Sequence, residues 1–378
     1  MLKQIQNNKK SDLELQFSKL LLQWNKQKNK RQMPWKGEKD PYKIWLSEII
    51  LQQTRVEQGL GYYHRFIETF PGIHQLAQAP DSKIFKLWEG LGYYTRCRNL
   101  IATARYISND LKGQFPTTYE EIKDLRGIGP YTAAAISSFA FNLPHAVVDG
   151  NVFRVLARVF GIYRPIDSTG GKKYFTDLAN QLLDKKQPGV YNQAIMDFGA
   201  VVCKPVAPLC PGCVFNKTCF AFLHNKINEL PVKEKKVSIR KRWFYYLVIE
   251  HENKIAIQQR IGKDIWQQLY EFPVIETNKE EESKKIITQA EKLNWLQKKN
   301  YEVIAVSPLF KQQLSHQLIA GQFIKIRLKK KISPDIHLIW VTKRELKKFA
   351  FPKFINQYLE SDIGSIKFSD ARVHKLIE

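Results

Sequence analysis

Leu125-Arg-Gly127-Ile-Gly129-Pro130-Tyr131-Thr-Ala-Ala-Ala135 decides the fold of this chain, because it joins two helical patterns spanning residues 118–141. Gly127 and Gly129 permit a tight turn, and Pro130 suits the first position of the following helix. Such a turn presents backbone N–H groups at a helix N-terminus, a site that holds a phosphate without reading sequence. This is the form of a helix-hairpin-helix. An ordinary αα-hairpin turn carries similar glycines, so the surroundings decide between the two.

The first of those surroundings is a cysteine run. Cys203, Cys210, Cys213 and Cys219 are four of the chain's five cysteines, spaced C-x6-C-x2-C-x5-C. Pro205, Pro208, Pro211 and Gly212 keep the run out of regular helix. Four thiolates at this spacing can converge on one metal centre, either a structural zinc or a 4Fe-4S cluster. The x6 and x5 gaps differ from the usual zinc-finger spacings and favour iron–sulfur, although spacing alone leaves the metal open. A disulfide knot is disfavoured by the reducing compartment the rest of the chain implies.

Charge is the second. Sixty Lys+Arg against 36 Asp+Glu give +24 over 378 residues, with a sequence pI near 9.7. That excess favours a polyanion, nucleic acid being the commonest, over a Lys-rich solvated surface or an anionic membrane as alternatives. Hydrophobic content of 44%, with 12% aromatic residues, describes a folded globular chain. The first ten residues are polar and basic with no apolar run behind them, which argues against a secretory signal. No stretch approaches the roughly 18 apolar residues of a membrane span. A cytoplasmic, DNA-associated protein without membrane contact is expected.

Helical periodicity runs from Leu13 to about Val202, with helix-like segments near 41–53, 55–69, 81–90, 94–111, 118–125, 131–141, 151–160, 172–183 and 191–202. After Arg242 the texture changes. A β-hairpin is expected from 243–249 and 255–257, then strands at 301–306, 317–328 and 337–341, with helices near 280–298 and 344–359. The expected architecture is an all-α helix-hairpin-helix domain over 1–228 with its metal loop at 203–219, a basic linker over 229–242, and an α+β domain over 243–378.

Two carboxylates stand out. In Pro41-Tyr-Lys-Ile-Trp-Leu-Ser-Glu48-Ile-Ile-Leu51, helical spacing puts Glu48 on one stripe with Ile44, Trp45 and Leu51. Desolvation there raises a carboxyl pKa, which suits a general acid; a rim glutamate paired with an arginine is the alternative. Asp149, in Asp149-Gly150-Asn151, precedes a helix and fits an ordinary N-cap. The apolar Ala146-Val-Val148 leading into it also allows a position at the floor of a cleft.

Taken in order, Trp45–Thr54, Gly90-Leu-Gly-Tyr-Tyr-Thr-Arg96, the hairpin, Val148–Arg154 and the cysteine loop resemble the MutY-type adenine DNA glycosylases over about residues 31–225. The resemblance implies base-excision repair of adenine mispaired with 8-oxoguanine or guanine, in double-stranded DNA, by a monomer carrying one 4Fe-4S cluster on Cys203, Cys210, Cys213 and Cys219. It implies Glu48 as proton donor to adenine N7 and Asp149 as the group that stabilises or traps the sugar cation, supported by Tyr131 and Asn151. Gln52, Gln53 and Tyr93 map onto the family's wedge, and Gly127 and Gly129 onto its phosphate-binding hairpin. Tyr131 stands where the similar bifunctional endonuclease III has a lysine; a tyrosine forms no Schiff base, so base removal without committed strand cleavage is expected. Cys97 is expected to be a packing residue.

The second domain resembles the family's Nudix-like domain, including Trp266–Pro273, but has no run of metal-binding carboxylates. Its lesion-reading hairpin is Leu314-Ser315-His316, with leucine where many relatives have phenylalanine. Two other readings compete: a bifunctional pyrimidine-lesion enzyme, and a non-catalytic iron–sulfur DNA-binding or redox-sensing protein. Glu48 and Asp149 in their motifs argue against the second.

Overall fold

The computed structural model describes residues 2–234, 238–331 and 337–361, with side chains from Leu13 onward. Contacts divide the chain into two units, Met1–Gln78 with Arg98–Lys236, and Ala79–Cys97 with Val237–Glu378. Residues 235–237 of the expected linker, and 332–336 and 362–378 of the expected second domain, lie outside the described residues.

The helices in chain order are α1 (Leu2–Lys28), α2 (Pro41–Leu51), α3 (Val56–Thr69), α4 (Ile73–Gln78), α5 (Asp81–Trp88), α6 (Tyr94–Asn109), α7 (Tyr119–Asp124), α8 (Pro130–Phe141), α9 (Gly150–Phe160), α10 (Thr169–Leu182), α11 (Pro188–Val201) and α12 (Phe220–Leu223). Their starts follow local chemistry. Asp40, Thr118, Asp149 and Ser168 each cap a helix by accepting a backbone N–H, and Pro41, Pro130 and Pro188 open theirs. In the first unit Phe17, Leu21 and Trp24 of α1 pack with Phe175, Phe198 and Phe215. Phe215 lies inside the cysteine run; its ring stacks on Phe17 at 4.8 Å and meets Phe198 edge-on at 5.4 Å, so the loop is anchored in the core. Cys97, grouped with the second unit, is fully buried, as expected of a packing residue.

The second unit carries an eight-stranded mixed sheet: β1 (Arg240–His251), β2 (Lys254–Gln259), β3 (Tyr270–Glu271), β4 (Val274–Thr277), β5 (Tyr301–Val306), β6 (Phe310–Gln313), β7 (Gln317–Leu328) and β8 (Ile339–Thr342). The expected hairpin is present, but β1 and β2 share only Glu250↔Ile255 and His251↔Lys254. The main partner of β1 is β7, in parallel register from Arg240↔Gln317 to Glu250↔Arg327. Local patterning has no means of showing that long-range pairing. Helices α13 (Ser283–Lys292), α14 (Lys343–Leu346) and α15 (Lys353–Leu359) complete the unit. The single helix expected over 344–359 is two: the first ends at Leu346, and Pro352, which fits no helix interior, stands as the N-cap of the second. Among the described residues no helix is long and apolar enough to cross a membrane.

Candidate active site and cysteine loop

Helix α2 is buried almost all round, and Glu48 on it is 6% exposed. Burial is the main force raising its carboxyl pKa to about 7; the Asp149 charge adds to this, and a hydrogen bond with Tyr131 opposes it. The Tyr131 hydroxyl also meets Met196 Sδ at 3.4 Å, and burial, with Glu48 and Asp149, drives its own pKa well upward. Glu48, Tyr131, Asp149 and Asn151 line one cavity of about 440 Å³ with Gln52 and Gln53. Three elements far apart in sequence, α2, α8 and α9, thus deliver the expected residues to one place.

Asp149 is both an N-cap and a cavity residue, so the two readings of it are compatible. Its Oδ1 accepts from the backbone N–H groups of Asn151 and Val152, both at 2.8 Å, and its Oδ2 accepts from Asn151 Nδ2 at 2.8 Å. Burial raises its pKa; those three hydrogen bonds and the Arg154 charge pull it back. Asn151 is itself oriented by Arg154, whose Nη2 donates to Asn151 Oδ1 at 2.8 Å and to the Gly199 carbonyl at 2.7 Å. A Cβ on Gly199 would sit 2.6 Å from that of Asn151, so only glycine lets α11 approach here. The Arg154 Nε donates to the Cys203 carbonyl at 2.7 Å. One helical turn on, Arg158 donates to the carbonyls of Lys204, Pro205 and Leu230. Two buried arginines on one face of α9 therefore connect the capping carboxylate to the cysteine loop.

Cys203, Cys210, Cys213 and Cys219 line one small apolar cavity with Arg158. The Phe215 N–H donates to Cys213 Sγ at 3.4 Å, and Arg158 Nη1 reaches Cys203 Sγ at 3.7 Å. Burial, and next the charges of the other cysteines, raise the Cys213 thiol to about 12; Cys210 and Cys219 are also raised. Such a set holds thiolates only against a cationic centre, so it fits a bound metal group. Among the described residues no three His, Cys, Asp or Glu side chains gather as for a single ion.

In the hairpin, Gly127 has φ +81° and a Cβ there would strike the Asn99 side chain at 2.6 Å; glycine is required. Gly129, at φ −96°, caps α8 without a side-chain bond and has open space on its Cβ side. Gln52 ends α2 and donates to Thr132 Oγ1 at 3.2 Å, while Gln53 is left-handed at φ +54°. In the second unit Tyr93 is left-handed too, at φ +50°, half exposed, with Arg96 against its ring at 5.3 Å and its hydroxyl on Ser315 Oγ. Leu314 N donates to the Gln317 carbonyl at 2.7 Å, closing a two-residue turn that leaves Ser315 and His316 exposed. Elsewhere in that unit Asp264, Glu271 and Glu276 are taken up by Arg242 and Arg260 at 2.6–2.9 Å, and this holds Asp264 well below the usual carboxylate range.

Sequence reasoning missed the wall formed by Arg31, Met33 and Trp35, together with Gln193 and Met196 of α11. The available signal was an aromatic between basic residues, Arg31-Gln-Met-Pro-Trp-Lys36, just beyond a helix.

A helical domain with this hairpin and carboxylate pair is the architecture of base-excision repair glycosylases. Residues 46–178 match the family of HhH-GPD superfamily base excision DNA repair proteins, and residues 244–361 match the NUDIX domain. A solved thermostable thymine-DNA glycosylase superposes with TM-score 0.52 at 30% identity, covering 58% of this chain and 98% of its own. The adenine DNA glycosylase of Buchnera aphidicola subsp. Baizongia pistaciae is 37% identical over 309 residues, 80% of this chain and 83% of that protein. The adenine DNA glycosylase of Homo sapiens is 41% identical over 214 residues, 54% of this chain and 39% of the human protein. The chain is a DNA glycosylase, and it belongs to the adenine DNA glycosylase family.

Proposed function

We propose that the protein removes adenine mispaired with 8-oxoguanine or guanine in duplex DNA by hydrolysing the N-glycosidic bond, acting as a cytoplasmic monomer without strand cleavage. The observation that carries this is a buried glutamic acid with pKa about 7 sharing a cavity with a fully hydrogen-bonded aspartate. Adenine leaves the stack at a cost of about a few kcal/mol, less for a mispair, and enters the cavity. Glu48 gives its proton to N7 as the N9–C1′ bond breaks; Asp149 stabilises the cationic sugar until water adds at C1′ and returns a proton to the Glu48 carboxylate, leaving adenine and an abasic site. Paired carboxylates serve glycosidases in the same way. Tyr131 holds the Glu48 carboxyl in place through its hydrogen bond, and Asn151 orients Asp149. No lysine lines the cavity among the described residues, in accord with a hydrolytic course.

Gly127 and Gly129 hold a phosphate through the open N-terminus of α8, Gln52 and Gln53 fill the vacated position, and Tyr93 of the second unit offers an exposed ring to DNA. Gln53 and Tyr93 are each held at positive φ, which costs a non-glycine residue about 1–3 kcal/mol. Single-turnover excision from duplexes with A opposite 8-oxoguanine, guanine and thymine, followed by alkali, tests the whole reading. Excision only after 8-oxoguanine and guanine, with strand breaks appearing only in alkali and no borohydride-trapped adduct, is expected; a trapped adduct refutes the hydrolytic course.

The cysteine cavity fits one 4Fe-4S cluster held by Cys203, Cys210, Cys213 and Cys219, a structural cross-link that orders the loop bearing Lys204 and Lys217 against phosphates. Purified protein should be yellow-brown and contain iron; a colourless, fully active preparation with one zinc per chain overturns the assignment.

Ser315 and His316 offer an exposed hydroxyl and imidazole to the oxidised base, whose C8 carbonyl and N7 hydrogen distinguish it from guanine. One hydrogen bond there discriminates by about 1–3 kcal/mol. Ser315→Ala with His316→Ala should therefore cut the preference for 8-oxoguanine over guanine roughly 5- to 100-fold while excision opposite guanine persists. An unchanged preference would assign recognition elsewhere.

A further inference from the structure

Asp197 on α11 has a fully buried carboxylate that does not line the base cavity, yet it is among the most heavily bonded side chains near it. Oδ1 accepts from Arg31 Nη1 at 2.9 Å and Gln193 Nε2 at 3.0 Å. Oδ2 accepts from Asn29 Nδ2 at 2.9 Å and Lys36 Nζ at 3.1 Å. Three of the four donors come from one segment, Asn29–Lys36, which follows α1 and contains neither helix nor strand. Its backbone makes only a few bonds of its own, Asn29 N–H to the Trp24 carbonyl at 3.3 Å and Lys36 N–H to the Met33 carbonyl at 3.0 Å, so side chains supply much of its anchoring. Lys36 Nζ also bonds the Arg31 carbonyl at 3.0 Å, and Trp35 meets Tyr63 edge-on at 5.4 Å. The same segment supplies Arg31, Met33 and Trp35 to the wall of the cavity that Glu48 and Asp149 line.

A buried charge costs several kcal/mol unless it is closely paired, and removing its charge or its partners loosens whatever it holds. We propose that Asp197 is a positioning residue that clamps Asn29–Lys36 against α11 as a strap over the base cavity, and that the clamped strap keeps water off Glu48. This rests on the adenine-excision reading. The groups acting on Glu48 are Tyr131 from α8 and Asp149 at the start of α9, and Arg31 from the strap lines the same cavity. Those around Asp197 are Arg31 and Lys36, with the neutral Asn29 and Gln193. Releasing the strap wets Glu48 and frees the Arg31 cation, now paired with Asp197, within the same cavity. Both changes favour the ionised carboxyl, so both withdraw the acid at neutral pH.

The test compares wild type, Asp197→Asn and Lys36→Met by the pH dependence of single-turnover adenine excision, and by trypsin digestion without DNA. In Asp197→Asn the descending limb should move about one unit to lower pH, a roughly tenfold loss of rate above neutrality. Lys36→Met, which removes one partly exposed anchor, should shift it less. Trypsin should cut after Lys30 and Arg31 in Asp197→Asn while the rest of the chain stays intact, and spare wild type there. A limb fixed at the wild-type pH overturns the proposal whatever the change in amplitude, since general destabilisation lowers amplitude alone. Should Asp197→Asn not fold, the limb of Lys36→Met decides. A folded Asp197→Asn strap as resistant to trypsin as wild type refutes the clamp. A wild type that excises no adenine refutes the activity instead, and the digestion still decides the clamp.

Discussion

Replacing Glu48 by glutamine should slow adenine excision by at least ~10²–10⁴-fold, the usual contribution of general acid catalysis, while binding to the mispaired duplex stays within a few-fold. The amide keeps the shape and most of the packing of the acid on α2 but has no proton of suitable acidity to give to an adenine ring nitrogen. The pH dependence follows the same group. Burial raises the carboxyl to about 7, so it is protonated below that pH and the wild-type rate should fall as pH rises through it. Stability moves in the same direction. Between about 4.5, its ordinary value, and 7 the folded chain binds this proton more than the unfolded chain does, so folding free energy is lost as pH rises across that window. At pH 8 the loss is on the order of 1–3 kcal/mol, and Glu48→Gln removes it. The inactive variant should therefore melt higher than wild type at pH 8 and nearly the same at pH 5. Excision by the variant within a few-fold of wild type removes Glu48 from its role. A lower melting temperature at pH 8 shows that the acid is not buried as described.

The cost of an acidic group in an apolar stripe explains why this half of the site was readable. Glu48 interrupts an otherwise apolar helix face, and Asp149 follows an apolar run and precedes a helix; both are departures from local pattern. The hairpin was readable for a related reason, since Gly127 answers a local backbone demand. What escaped reading is non-local. Nothing in Arg31-Gln-Met-Pro-Trp-Lys36 says that a carboxylate some 160 positions later will hold it. The two arginines of α9 look like any basic residues on a helix until the loop carbonyls they meet are placed beside them. The parallel pairing of β1 with β7 likewise joins strands more than 60 residues apart through registers that local alternation does not encode. The left-handed backbone at Gln53 and Tyr93 is hidden for another reason: neither residue type announces positive φ, and tertiary contacts must impose it.

Asp149→Asn isolates charge from structure more cleanly than any other change at the site. Asparagine is as good an N-cap as aspartate, so α9 should keep its start and the variant its fold, with a stability loss of no more than about 1 kcal/mol. The charge is lost, and the geometry allows no easy substitute. Asn151 presents its Nδ2 to the second carboxylate oxygen, and Arg154 fixes that orientation by occupying Asn151 Oδ1. An amide at position 149 that keeps its oxygen on the backbone N–H groups turns its own NH₂ toward that of Asn151, donor against donor. The sugar cation then faces a neutral and misoriented group. Removing one preorganised electrostatic partner of a transition state costs about 10²–10³-fold in rate, and a full charge in a dry cavity belongs at the upper end or beyond. Single-turnover excision should fall by that factor with duplex affinity retained, and the pH midpoint set by Glu48 should move down, because a nearby negative charge that raised it is gone. Asn151→Ala should give a smaller loss, since Asp149 keeps both backbone donors. If Asp149→Asn excises adenine at a rate near wild type, the sugar cation is stabilised by something else in the cavity, and the paired-carboxylate mechanism fails.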